Sequence, residues 1–423
     1  MSVSEEQKKI YFESRRREKE HFFSVPFYKR VIGKIEHLNK RLTLGLLGKV
    51  LRIKPITGKL SLDDISSVLI LRYDAIGDMV VTSPLWRILK DRKPDLKIGV
   101  AGSSRNIDIL RFDKDIDDVY NFSLLDKDLQ KEELRKARSK QYDLVIACIS
   151  SQKTRIATLA RKASSNGVTA SLVSDQDSPH NKIFSLTAIL PQKRNPIPMV
   201  LQLQYLLENI LDVTITDEES RPSIIVDPDI LQQTKTATDR ILSETQTTRY
   251  IVLNTESATA FREWGYENNY RLAKEIADAR PETLVLLTSS PLCEKGLTDY
   301  LSQFPSTPNV QYFPTRGIHE MAALIRFSSL VISPDTSIIH IASAEAKPTV
   351  GFYVQVNPWL PFRVPAKVYI PKNGRPVSTI PVDLVKNGTL ELLDTATSDP
   401  NTIDIFWCEE PLRSEQLTLD SVL

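Results

Sequence analysis

From Val68 to Lys90 the chain passes from an unbroken apolar run through a short polar turn into a helix-forming segment. That order constrains the fold more than any other feature. Val68-Leu69-Ile70-Leu71 has no polar position to alternate with, as in a parallel strand covered on both faces. Gly77-Asp78 follow the turn, and a helix is expected to start near Met79. Asp78 is thereby predicted at the carboxyl end of a strand, where ligands sit in open α/β sheets. A carboxylate there caps the helix or takes part in a reaction, and the residues alone leave both open.

The same alternation runs on through the chain. Strands are expected at Lys97–Val100 and Leu144–Ile149, and helices at Met79–Asp91, Leu129–Ser139 and Met199–Ile210. It restarts at Tyr250–Asn254 and continues through helix Asn269–Ala279, strand Thr283–Leu287 and helix Ile318–Arg326. Strand Leu330–Ile332, helix Ser337–Glu345 and strand Thr349–Tyr353 complete it. Strands alternating with helices imply βαβ units and parallel sheets, and 423 residues suffice for two such domains. The expected division is 1–60 as a helical arm, 61–226 as one domain, 227–247 as a linker helix and 248–371 as a second domain. A cleft is expected between the domains. Segments 163–198 and 353–372 read as loops, and 372–423 shows no clear period.

Charge is distributed unevenly. Residues 1–60 hold 15 Lys and Arg against 6 Asp and Glu, whereas the remaining residues balance at −7. In residues 5–52 the basic side chains are interleaved with Tyr11, Phe12, Phe22, Phe23, Phe27 and Tyr28. Such an arm suits the surface of an anionic membrane or packing against protein. Nucleic acid is disfavoured as a partner, because the body is acidic and carries no recognised binding motif. Three scattered cysteines argue against a disulfide framework or a structural zinc site. No apolar run approaches the roughly 18–20 residues that cross a bilayer, and the start is too polar for a signal peptide. The protein is therefore expected in the cytoplasm, peripheral to the inner membrane face if the arm binds there.

Three segments carry a family resemblance. The first is Leu71-Arg72-Tyr73-Asp74-Ala75-Ile76-Gly77-Asp78 with Thr82-Ser83-Pro84 beyond it. The second is Val252-Leu253-Asn254-Thr255 with Arg262-Glu263-Trp264 and Glu267-Asn268-Asn269-Tyr270. The third is Ser333-Pro334-Asp335-Thr336-Ser337, then His340-Ile341-Ala342-Ser343-Ala344 and Lys347-Pro348-Thr349-Val350-Gly351-Phe352. In this order and spacing they resemble glycosyltransferase family 9, the ADP-heptose:lipopolysaccharide heptosyltransferases. The resemblance implies the GT-B architecture, an α/β fold of two facing Rossmann-like domains. It further implies an inverting transfer of sugar from a nucleotide donor, usually ADP-heptose, to a lipopolysaccharide core or another surface-glycan acceptor.

The resemblance makes Asp78 the general base, with Asp74 as its rival on the same turn. It assigns the donor and its diphosphate to Thr255, Arg262, Asp335, Thr336 and Ser337. Arg72, Asp74 and Gly77 become contacts for the acceptor or a phosphate. Two positions depart from the family pattern: Arg262 stands for its Lys, and Ser337 for its usual Gly. Helix N-termini bind phosphate through free N–H groups, which fits the start of a helix at Asp335-Thr336-Ser337. Trp264 and His340 read as packing residues.

No cofactor beyond the nucleotide-sugar substrate is expected, and no metal. Asp115-Ile116-Asp117 imitates the Asp-x-Asp of metal-dependent transferases but reads as a solvated turn. Neither Gly-x-Gly-x-x-Gly nor the Walker pattern occurs. Two other readings stay open: a nucleotide-sugar epimerase or hydrolase of the same architecture, and a non-catalytic nucleotide- or glycan-binding subunit.

Overall fold

Strand β1 (Ser67–Leu71) is fully buried from Val68 onward, as its uninterrupted apolar side chains require. It lies in a computed structural model that describes residues 42–123, 126–149, 153–164, 167–173, 178–191, 196–372, 374–395, 399–408 and 412–418. These divide into two compact units, residues 42–191 with 199–220, and residues 196–198 with 221–418. Of the arm expected over 1–60, residues 1–41 lie outside the described set, and 42–50 are helical.

In the amino-terminal unit β1 is joined by β2 (Lys97–Gly102), β3 (Asp118–Asn121), β4 (Leu144–Ala147), β5 (Val168–Val173) and β6 (Leu186–Ile189). Their order is β3-β2-β1-β4-β5-β6, with every neighbour parallel. The connecting helices are α1 (Ile76–Arg92), α2 (Lys127–Ser139), α3 (Lys153–Ala163) and α4 (Met199–Ile210). Leu69, Leu71, Val145, Ile156 and Phe184 form part of one core cluster there.

The carboxyl-terminal unit repeats that order. It contains β7 (Arg249–Asn254), β8 (Thr283–Thr288), β9 (Val310–Tyr312), β10 (Leu330–Pro334), β11 (Thr349–Phe352) and β12 (Ala366–Pro371). Counted from β7, these strands also stand 3-2-1-4-5-6, the doubly wound Rossmann order. Beyond β12 the sheet gains parallel β13 (Thr402–Cys408) and antiparallel β14 (Arg413–Thr418). The helices are α5 (Pro228–Thr245), α6 (Tyr266–Ala279), α7 (Glu294–Leu301), α8 (Ile318–Phe327), α9 (Ser337–Ala344) and α10 (Val382–Asp394).

Several expectations change here. The stretch 163–198, read as a loop, holds β5 and β6, and 353–372 holds β12. The helix expected to link the domains is α5, which packs on α8 inside the carboxyl-terminal unit. Asp227 caps α5 by accepting from Asp229 N at 2.8 Å, with Pro228 in the first turn, so the helix start is well encoded. The unpatterned tail is α10 with β13 and β14. Buried Lys367 of β12 ties that extension down, with Nζ 3.1 Å from Glu391 and 3.2 Å from Asp404.

Candidate functional site

An order of 3-2-1-4-5-6 places a switch point between its first and fourth strands, and ligands bind outside the carboxyl ends there. Each unit has one, flanked by β1 and β4 or by β7 and β10. Residues from all three sequence motifs collect at these two places.

At the first, α1 begins at Ile76, three residues earlier than expected, because the chain turns directly out of β1. Asp78 is therefore the third helical residue, inside the first turn. The cap position is Ala75, which makes no side-chain cap bond, so Asp78 is not the N-cap. Its carboxylate instead reaches back to the Ala75 N–H and receives Arg72 Nη2 at 3.1 Å. Asn106, buried in the turn beyond β2, holds the β1–α1 turn by donating to Arg72 O at 2.9 Å and Ala75 O at 3.1 Å.

Arg72 was expected to touch an acceptor or a phosphate. It is 0% exposed, and its guanidinium is committed inside the protein. Nε donates to Asp78 O at 3.0 Å and lies 3.4 Å from Asp74 Oδ1, while Nη1 donates to Cys148 O just beyond β4. The side chain thus spans the switch point with Nε, Nη1 and Nη2 all engaged inside the protein. Gly77 is likewise buried in the helix.

These contacts set the chemistry of Asp78. Burial raises its pKa, Arg72 lowers it, and both the charge of Asp74 and a hydrogen bond with it raise it again. Burial and Asp74 win, and the carboxyl is pushed up to about 7. With its side chain 15% exposed, Asp78 is sheltered but open to a reactant. A carboxylate with a pKa near neutrality is suited to accept a proton. Exposed Arg105 adds a cation whose charge is felt at both Asp74 and Asp78.

The second switch point is bridged by neutral groups. Asn254 ends β7 and donates from Nδ2 to Ser333 Oγ of β10 at 3.0 Å and to Thr336 Oγ1 at 3.4 Å. Thr336 caps α9, its Oγ1 accepting from Ile338 N at 3.3 Å. The backbone N–H groups of Thr336 and Ser337 precede the first i to i−4 bond of that helix. Asp335, a donor contact on the resemblance, precedes the cap. Its Oδ2 lies 3.8 Å from Arg262 Nη1 and accepts from Asn357 Nδ2 at 3.2 Å. Burial raises its pKa, against Arg262 and Asn357.

Arg262 follows a one-turn bend, donating its N–H to Thr259 O at 3.1 Å, and its side chain is 42% exposed. Thr255 is less available than expected, since its hydroxyl donates to Thr288 O at 3.1 Å and fastens β7 to β8. Trp264 packs as predicted, with Nε1 donating to Ile380 O at 2.9 Å and its ring centroid 4.5 Å from that of Phe352. His340 is buried with its ring centroid 5.8 Å from that of Trp359.

Some residues went unnoticed in the sequence. Ser257, Thr259 and Thr288, at or just after the carboxyl ends of β7 and β8, bury hydroxyls that have no hydrogen-bond partner. Buried polar atoms are normally paired, so these are groups that a ligand can satisfy. The available signal was a run of Ser and Thr directly after apolar strands. The acidic turn proved structural: Trp86 Nε1 donates to Asp113 at 2.9 Å, and Lys90 and Lys97 hold Asp117 at 3.0 and 2.9 Å. Among the described residues no group of three or more His, Cys, Asp or Glu is placed to bind a metal. No described helix is long and apolar enough to cross a membrane.

The sequence profile of glycosyltransferase family 9 (heptosyltransferase) matches residues 132–363. No curated protein sequence matches the chain. Among solved structures, a family 9 glycosyltransferase from Veillonella parvula superposes with a TM-score of 0.63 at 17% identity, covering 79% of this chain and 98% of that one. E. coli heptosyltransferase WaaC with ADP gives 0.58 at 18%, covering 77% and 97%. E. coli ADP-heptose lps heptosyltransferase II gives 0.57 at 16%, covering 77% and 98%. At these identities the likeness is one of fold.

Proposed function

We propose that this chain, which belongs to glycosyltransferase family 9, moves a sugar with inversion from a nucleotide donor, ADP-heptose foremost, to the hydroxyl of a glycolipid acceptor. The observation that carries the reading is the Asp78 carboxyl, sheltered at a switch point with its pKa near 7. As the acceptor oxygen bonds to the anomeric carbon, Asp78 takes the hydroxyl proton. The bond from that carbon to the diphosphate breaks, and its electron pair leaves with the nucleoside diphosphate. Asp74 keeps Asp78 basic by like charge, and Arg72 positions both carboxylates.

The leaving diphosphate falls to the carboxyl-terminal unit. Arg262 supplies a fixed cation, and the start of α9 at Thr336 and Ser337 supplies N–H groups and the positive end of the helix dipole. Asp335 takes donor-sugar hydroxyls. The unsatisfied hydroxyls of Ser257, Thr259 and Thr288 are further partners for the donor. Support for an ADP-linked heptose comes from the E. coli heptosyltransferases of like fold. The reaction needs no metal in this scheme, since Arg262 and α9 neutralise the leaving group and Asp117 is held by lysines. A lipopolysaccharide core or similar glycan on lipid places the work at the cytoplasmic face of the membrane, reached through residues 5–52.

A thermal-shift panel of ADP, UDP, GDP and CMP, with and without magnesium, tests the donor. Stabilisation grows as RT ln(1 + [L]/Kd). A selective rise with ADP and no magnesium requirement is expected. Preference for UDP or GDP would discard heptose, and no response to any nucleotide would favour the non-catalytic reading. Donor consumption without acceptor would favour the epimerase or hydrolase.

A further inference from the structure

The helical residues 42–50 present two opposed faces. Leu44 and Gly48 are buried against the amino-terminal unit, and a Cβ on Gly48 would stand 2.1 Å from the Lys182 carbonyl oxygen. Arg161 Nε donates to Leu51 O at 2.8 Å just beyond the helix. The segment is therefore seated closely. At 100° per residue its opposite face carries Leu42, Leu46 and Val50, spaced by four. They are 70%, 65% and 70% exposed. The other exposed large apolar side chains among the described residues are scattered over separate elements.

Along the sequence, the charge about this stripe has one sign. Residues 37–61 contain six Lys or Arg and no Asp or Glu. Lys49, Arg52 and Lys54 are exposed and form no ion pair among the described residues. The 363 residues beyond the arm balance at −7, so an anionic surface repels the body and attracts this edge.

We propose that Leu42, Leu46 and Val50, flanked by Lys49, Arg52 and Lys54, dock the protein on an anionic lipid bilayer. An apolar stripe with a cationic border is the pattern of a helix lying in the headgroup boundary. A second copy of the chain is the poorer occupant. Three side chains offer far less than the roughly 800 Å² per partner of a stable interface. The proposal rests on the membrane location read above, and is independent of the transfer chemistry.

The test is sedimentation of the full chain with vesicles of phosphatidylcholine alone or with about one third phosphatidylglycerol. Binding to the anionic vesicles only is expected, and it should weaken in high salt. Leu42→Gln/Leu46→Gln/Val50→Gln should weaken it at least ~10-fold. Lys49→Glu/Arg52→Glu/Lys54→Glu should weaken it on the order of 100-fold, given the attraction of each cation to such a surface. Both variants should keep the parent's melting temperature, since they change only exposed positions. Variants that sediment like the parent would overturn the proposal, as would a parent that ignores anionic vesicles. A parent dimer that the variants turn into monomer would also overturn it, in favour of self-association. The nucleotide response of the same preparations separates the two readings, because vesicle binding without a nucleotide shift upholds this surface and removes the donor.

Discussion

At the carboxyl end of β1 the amino-terminal unit gathers Arg72, Asp74 and Asp78. At the same point of the second sheet β7 delivers Asn254 and Thr255. Both crevices are bridged, the first by a buried guanidinium reaching Cys148 O and the second by an amide reaching Ser333 and Thr336. Strand order is identical, yet one crevice is held by charge and the other by neutral hydrogen bonds. Around Asp78, burial and the Asp74 charge raise the pKa while the Arg72 cation lowers it, so charge and burial together tune the carboxyl. Neutral bridges leave the first N–H groups of α9 free of a fixed anion, with Arg262 at 3.8 Å from Asp335 beside them, which suits a ligand that brings its own negative charge. Fold alone does not distinguish these roles; the residues just past the strands do.

Substitutions can break this contrast. The largest effect is expected from Asp78→Asn, which removes the proposed proton acceptor. Transfer should fall about 100- to 10,000-fold while nucleotide binding to the other unit persists. An active Asp78→Asn enzyme would move the base to Asp74 or to solvent. Arg262→Ala should act on the opposite side of the contrast. It should raise the donor KM about tenfold, as loss of one partly exposed cation warrants, with a smaller change in kcat. A fall in kcat with an unchanged KM would mean that Arg262 serves the departing diphosphate rather than the bound donor.

The pH profile sharpens the comparison. Because the Asp78 pKa is raised, the carboxylate form is lost as pH falls through about 7, and kcat/KM should show an acidic limb there. Asp74→Asn removes a neighbour that raises this pKa, so the limb should move to lower pH. The same shift has a stability side. The folded state holds its proton up to about 7, whereas an unfolded Asp releases it near 3.8, so this group's contribution declines as pH rises between those values. An acidic limb that stays in place in Asp74→Asn would disconnect the two carboxylates.

The sheets were legible wherever apolar runs stood alone, as at β1, β7 and β10, and so was the gathering of motifs at strand ends. What stayed hidden depended on contacts distant in sequence. Arg72 was read as an acceptor or phosphate contact, because nothing local reveals that Cys148 and Asp78 enclose it. The cap reading of Asp78 stayed open beside the catalytic one because the helix start was placed at Met79, and the tight turn held by Asn106 brings it forward to Ile76. Strands β5 and β6 were hidden by the Ser- and Asn-rich segments around them, and β13 by a tail without period. Lys367 helps to fix β13 in place through pairings with Glu391 and Asp404, which sequence spacing does not disclose.

The extension by β13 and β14 also bears on how the molecule behaves in a crowded solution. An exposed strand edge is a template for pairing with another chain. The second sheet ends on one side in β14, Arg-Ser-Glu-Gln-Leu-Thr, whose side chains are mostly polar or charged. On the other it ends in β9, only three residues long. The first sheet ends in β3 and β6, four residues each. Every sheet margin is thus short or polar, and the long hydrophobic strands that could seed fibrils lie inside.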